Sequence, residues 1–172
     1  MKTWLFLDID GVLNHEEWYV KITTGKMPEE LSWPICDFDP ECVARVNRIL
    51  EETGATLVVT STWRIAKDLP EIFERVGLPK EFMVTPRIWS KPRGEEIEMF
   101  LKEHDMDTFL CGKNYAILDD DNDFNHWQKM YCLFRTAAGE YDQTYEENGG
   151  TGLTEKLTEK VIKHLRKYGD DK

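Results

Sequence analysis

No stretch of this sequence approaches the roughly 20 consecutive apolar residues that a membrane-spanning helix needs, so no such span is expected. Nor is a signal peptide expected: Met1-Lys2-Thr3 runs straight into a short strand-like segment, which sets the expectation of a cytoplasmic protein. Cysteine is sparse. Cys36, Cys42, Cys111 and Cys132 lie far apart with no C-x-x-C pair, which excludes ordinary zinc-site spacing and reads as reduced, mostly buried thiols. Repeats, low-complexity tracts and linkers are also lacking. Positive charge is in short supply, 22 Lys and Arg against 33 acids, and the net charge of -11 disfavours extended non-specific DNA binding.

The shortage is uneven. Arg64, Lys67, Arg87, Lys91, Arg93 and Lys113 fall in the middle of the chain, whereas 119–147 is mostly acidic, so a local anion site is compatible with the net charge. What is present is the composition of a globular protein, 41% apolar and 32% charged, with six Trp and eight Phe. At 172 residues the chain suits a single domain over 1–172 with its own core. Composition says nothing about oligomeric state.

The first element, Thr3 to Leu7, is a short apolar run that stops at Asp8-Ile9-Asp10-Gly11, as a buried strand ending in a functional loop would. Residues 16–39 contain Gly25, Pro28 and Pro34 and are expected to form a loop or small flap. Val43, Val46, Ile49 and Leu50 have helical spacing over 41–52, closed by Gly54. A second strand, 55–60, runs directly into Ser61-Thr62-Trp63-Arg64, and a helix over 69–76 ends at Gly77. Phe82 to Val84 forms a brief third strand, followed by an amphipathic helix over 94–103. Tyr115 to Leu118 makes a fourth strand, cut off by Asp119-Asp120-Asp121, and Met130 to Phe134 a fifth. A long loop over 136–152 precedes a final helix near 154–168, N-capped by Thr154. Strands alternating with helices predict an α/β fold: a central, mostly parallel five-stranded sheet with helices on both faces and ligands at the carboxyl ends of the strands.

Three predicted strands therefore end in polar residues suited to one task. Asp8 and Asp10 follow the first, Ser61 the second, Asp119 and Asp120 the fourth, and Lys91 starts the helix after the third. Carboxylates so gathered would surround a hard cation that prefers oxygen ligands, and a hydroxyl and an ammonium would lie where phosphate oxygens bind. Thr60 competes with Ser61 for the hydroxyl role, and Arg93 with Lys91 for the cation. Trp63, Trp89 and Trp127 read first as packing residues, and Arg64 either as a ligand for a substrate anion or as half of a surface ion pair.

The segment Asp8-Ile9-Asp10-Gly11-Val12-Leu13-Asn14 resembles the first motif, D-x-D-G-x-L, of the haloacid-dehalogenase superfamily. The other motifs follow in family order: a hydroxyl residue after an apolar strand (Ser61), a Lys before a helix (Lys91-Pro92), and an acidic pair after a strand (Asp119-Asp120, with Asp123 beyond). Val59 to Arg64, Arg93 to Ile97 and Gly152-Leu153-Thr154 further resemble a small capless subgroup named for RNA-repair proteins. The resemblance implies a three-layer Rossmann-like fold without a large cap and a phosphomonoesterase that uses Mg²⁺. Asp8 would be the nucleophile and Asp10 the general acid and base, with Ser61 and Lys91 stabilising the phosphoryl oxygens. Gly11, Thr60, Thr62, Arg64 and Arg93 would line the substrate site, and Asp8, Asp10 (through its main-chain carbonyl), Asp119, Asp120 and Asp123 would supply metal ligands. The implied partner is a phosphorylated substrate: a nucleotide, a nucleic-acid end or another small phosphoester. A phosphoacceptor receiver domain and a binding module without turnover are the competing classes. The leading position of D-x-D-G weighs against the first, and the complete residue set against the second.

Overall fold

Successive residues of a strand face opposite sides of a sheet, so Trp4-Leu5-Phe6-Leu7 can be apolar throughout only if both faces are covered. In the computed structural model, which describes residues 2–25, 33–104 and 114–169, both are. Strands β1 (Trp4–Leu7), β2 (Thr56–Val59), β3 (Met83–Val84), β4 (Tyr115–Asp119) and β5 (Leu133–Arg135) form one sheet in the order β3-β2-β1-β4-β5, every pair parallel.

Helices α2 (Pro40–Thr53), α3 (Leu69–Val76) and α7 (Glu155–Gly169) cover one face, where Leu5 and Leu7 meet Val46, Phe73 and Val161. Helix α4 (Arg93–Glu103) covers the other, where Trp4 and Phe6 meet Ile97, Phe100 and Leu101. Each of these buried side chains contributes about 1.5–3 kcal/mol relative to exposure. The helix ends follow local chemistry. Asp39 accepts from Glu41 N–H at the start of α2, Gly54 takes the left-handed conformation at its end, and Thr154 Oγ1 accepts from Leu157 N–H at the start of α7. No described helix is long and apolar enough to cross a membrane.

Three expectations need correction. The segment 16–39 is not wholly loop: α1 (Glu16–Thr23) and a 3₁₀ turn (Ile35–Asp37) occupy its described part, since the helix breakers begin only at Gly25, and Trp18 Nε1 ties α1 to the Cys36 carbonyl. The fifth strand starts later than expected. Asn125 and Gln128 form a reciprocal capping box that makes α5 (His126–Tyr131) helical, leaving Leu133–Arg135 as β5. The stretch 136–152 holds a short helix, α6 (Tyr145–Asn148), and is pinned at its ends by an antiparallel bridge between Ala137 and Gly152. Cys36, Cys42 and Cys132 form no disulfide among the described residues; Cys111 and Lys113 lie outside them.

Candidate active site

Strand register builds the site. Leu7 pairs with Val59 on one side and Leu118 on the other, so the next residues, Asp8, Thr60 and Asp119, stand level at the carboxyl edge of three adjacent strands. Asp8 N–H donates to the Leu118 carbonyl and Thr60 N–H to the Leu7 carbonyl, each at 2.9 Å, which continues the ladder one residue past the strands. Asp8 and Asp119 are buried and Asp120 half-buried, and the three carboxylates offer oxygens within 4.8 Å of one another.

So many acids in so little water cannot all remain charged without compensation. Burial first, then the charge of Asp8, pushes the Asp119 carboxyl up to about 7, with Arg93 opposing. The same two causes push Asp120 to about 6. Arg93 is the only cation that the described ion pairs bring to this cluster: its Nη1 lies 2.8 Å from Asp8 Oδ2 and 2.6 Å from Asp119 Oδ2. Burial works against its charge, but Asp119 and Asp8 outweigh that and hold the guanidinium above its ordinary value.

Lys91 does not join them. Its ammonium pairs with Glu95 Oε2 at 2.6 Å, and both side chains are about half exposed. The difference arises at the start of α4, where Asp123 Oδ2 accepts from Arg93 N–H at 3.0 Å and the Asp123 carbonyl from Gly94 N–H at 3.4 Å. That grip sets the first turn with Arg93 inward, and it leaves Asp123, expected as a metal ligand, serving the backbone of α4.

Asp10 stands apart from the acidic trio. Asn14 Nδ2 donates to its Oδ1 at 2.8 Å, and Trp63 Nε1 to both oxygens at 3.2–3.3 Å. Asn14 is itself held by Gly11 N–H, which donates to its Oδ1 at 2.9 Å. Sequence reasoning missed Trp63, read as packing, and gave Asn14 no role. The available signal was position: Asn14 closes the segment that begins at Asp8, and Trp63 follows β2 two residues after Ser61. The exposed Asp10 faces an open cleft of about 590 Å³ lined by Asn14, Tyr19, Val20, Thr23 and Gly139.

Gly11 packs against Asp120. Its φ is +72° and an added Cβ would fall 2.4 Å from the Asp120 carboxyl, so this position both needs glycine and sets where Asp120 can sit. Both candidate hydroxyls are fully buried. Ser61 Oγ accepts from Trp63 N–H at 3.3 Å, whereas Thr60 Oγ1 has no hydrogen-bond partner among the described residues. Thr62 is exposed at the start of a 3₁₀ turn (Thr62–Ile65). Arg64, expected at a substrate anion or in a surface pair, is instead half of a buried pair. Its Nη2 meets Glu96 Oε2 at 2.7 Å and its Nη1 donates to the Thr60 and Ser61 carbonyls, while Glu96 Oε1 accepts from Ile88 N–H. It props the loop that carries the hydroxyls.

An open parallel sheet with carboxylates converging at the carboxyl ends of adjacent strands defines a Rossmann-like domain with an acidic, cation-seeking site. Residues 4–141 match the family model described as the HAD domain in Swiss Army Knife RNA repair proteins, and the chain belongs to that family. Comparison with curated proteins and with solved structures returns no significant match. The family is of the phosphatase-type hydrolase class, and no cap domain covers the sheet edge among the described residues.

Proposed function

We propose that this chain is a Mg²⁺-dependent phosphomonoesterase that works through a phosphoaspartate on Asp8 and acts on nucleotides or nucleic-acid ends. The observation that carries the reading is the placement of Asp8, buried beside Asp119 and Asp120, two residues before an exposed Asp10 held by Asn14 and Trp63.

The all-oxygen donor set of Asp8, Asp119 and Asp120 fits a hard divalent cation, and the upward shift of two of these carboxyls marks a site that charge of the opposite sign would relieve. Bound there with the Asp10 carbonyl as a further donor, the ion would neutralise the repulsion between substrate and carboxylates.

The rest is work for the protein. An Asp8 oxygen attacks phosphorus as the ester P–O bond breaks, and Asp10 in its acid form gives its proton to the departing oxygen. Water then attacks the same phosphorus, Asp10 takes a proton from it, and the Asp8–phosphorus bond breaks to release inorganic phosphate. General acid–base help of this kind is worth about 10²- to 10⁴-fold in rate. Arg93 and the Thr60 and Ser61 hydroxyls stabilise the phosphoryl oxygens, as fixed donors do where charge redistributes. The open cleft beside Asp10 leaves room for a nucleoside leaving group.

The test is phosphate release from an aryl phosphate with and without Mg²⁺. Asp8→Asn and Asp10→Asn are each expected to abolish it, and full activity in Asp8→Asn would end the covalent mechanism. A panel of nucleoside 3′- and 5′-phosphates, sugar phosphates and 3′-phosphorylated oligonucleotides then ranks the leaving groups.

A further inference from the structure

A cationic groove adjoins the reaction centre without belonging to it. It encloses about 180 Å³, with Arg64, Arg87, Lys91 and Arg93 in its lining against the carboxylates of Glu96 and Asp123, and with Trp89 at its side. Arg93 is shared: it lines this groove and also touches Asp8. In a chain of net charge -11, four cations against two carboxylates around one small groove are a local reversal of sign.

Their charges are not equally committed. Glu96 answers Arg64, Glu95 answers Lys91, and Asp8 with Asp119 answers Arg93. Among the described residues no carboxylate lies within ion-pair distance of Arg87. Its guanidinium instead lies 3.8 Å from the centre of the Trp89 ring. Arg64, Arg87 and Arg93 line one groove, and the Arg64 guanidinium is drawn below its ordinary value by burial first and, against the pull of Glu96, by the charges of Arg93 and Arg87. Trp89 is 86% exposed, so it stands out from the fold with a ring face open to water. Arg87 covers one face of this indole and leaves the other open, the geometry in which a flat ring such as a base can stack.

We propose that Arg87 and Trp89 form a second binding subsite for a single-stranded oligonucleotide end, Arg87 meeting the phosphate next to the terminal one and Trp89 stacking a base. A guanidinium is suited to phosphate through its fork of donors, and base stacking on an aromatic ring tolerates any sequence. Two such contacts beside Arg93 select a chain of at least two nucleotides over a lone nucleoside phosphate, while the acidic remainder of the surface limits contact to the end of the strand. The subsite deepens the phosphohydrolase reading by naming what the substrate carries beyond the reacting phosphate, and it rests on that reading only for the position of the terminal phosphate.

The test measures binding of fluorescein-labelled, 3′-phosphorylated single-stranded hexanucleotides to the full chain by anisotropy in EDTA, where turnover cannot intervene. Ribo- and deoxyribo-probes run in parallel, and tighter binding of one names the nucleic acid. The oligonucleotide is expected to bind at least about tenfold more tightly than a nucleoside 3′-phosphate, with Arg87→Ala and Trp89→Ala each losing about tenfold. Trp89→Phe keeps most of the affinity. Equal binding of the oligonucleotide and the nucleoside phosphate, or wild-type affinity in both alanine variants, overturns the subsite. Tight oligonucleotide binding that never leads to phosphate release when Mg²⁺ is added supports the subsite while ending the hydrolase reading. Release from the oligonucleotide at wild-type kcat/KM in both alanine variants does the opposite.

Discussion

Replacing Arg93 with Met keeps most of the apolar stem and removes the charge that bridges Asp8 and Asp119. Both carboxylate partners are nearly enclosed, with side-chain exposures of 6% and 0%. Withdrawing one partner from a buried pair typically costs about 3–5 kcal/mol, because the remaining charge has neither water nor a counter-ion. At about 2–4 °C per kcal/mol for a chain of this size, the metal-free variant is expected to melt about 10 °C below wild type at pH 8. The loss shrinks near pH 6, since the Asp119 carboxyl, already pushed up to about 7, can take a proton instead. It shrinks again at saturating Mg²⁺, because a divalent ion held by the same oxygens replaces the missing positive charge. Thermal unfolding of both proteins, with EDTA and with Mg²⁺, at the two pH values reads all of this. Lys91→Met is the control; its exposed pair with Glu95 is worth at most about 1 kcal/mol. A penalty for Arg93→Met that is the same with and without Mg²⁺, or below about 1 kcal/mol in EDTA at pH 8, would refute the reasoning.

Four further outcomes follow from the same geometry. Gly11→Ala places a Cβ against the Asp120 carboxyl and forces a left-handed alanine, which costs about 1–2 kcal/mol. It is expected to weaken Mg²⁺ binding at least about tenfold in a thermal-shift titration, and unaltered Mg²⁺ affinity would contradict the packing argument. Thr60→Val removes a buried hydroxyl that has no partner among the described residues, so it should leave the melting temperature within a degree or two yet slow phosphate release. Ser61→Ala strands Trp63 N–H and should cost about 1 kcal/mol. Finally, the raised Asp119 and Asp120 carboxyls make the native metal-free protein bind protons more tightly than the unfolded chain does. The contribution of these two carboxyls to stability is therefore fully present below about pH 4, where ordinary carboxyls are protonated, and is lost as pH rises through about 6–7. Mg²⁺ competes with those protons, so the stabilisation it confers should grow over the same window, and a melting profile independent of pH in EDTA would count against the shifts.

The periodicity of apolar residues made the alternating strands and helices legible in the amino-acid sequence, because burial on two faces leaves continuous apolar runs and helix stops leave glycines such as Gly54 and Gly77. It also marked Asp8, Asp10, Asp119 and Asp120, since polar residues directly after buried strands must emerge at one sheet edge. The segment after Asn125 was harder to read: a short apolar run suits helix or strand equally, and only the capping box decided it.

What linear order could not decide was direction and partnership. Lys91 and Arg93 sit two residues apart at one helix start, and either could have faced the carboxylates. Asp123, from a distant loop, holds the first turn of α4 and so turns Arg93 inward. Thr60 and Ser61 are likewise neighbours, and it is the register of β1 against β2 that sets Thr60 beside Asp8. Arg64 could have been a surface charge until Glu96 closed over it, and Trp63 was a packing residue until its indole N–H met Asp10. Strand endings follow from local pattern because solvent exposure changes there. Side-chain pairing depends on which remote segments pack together, and only the folded chain establishes that.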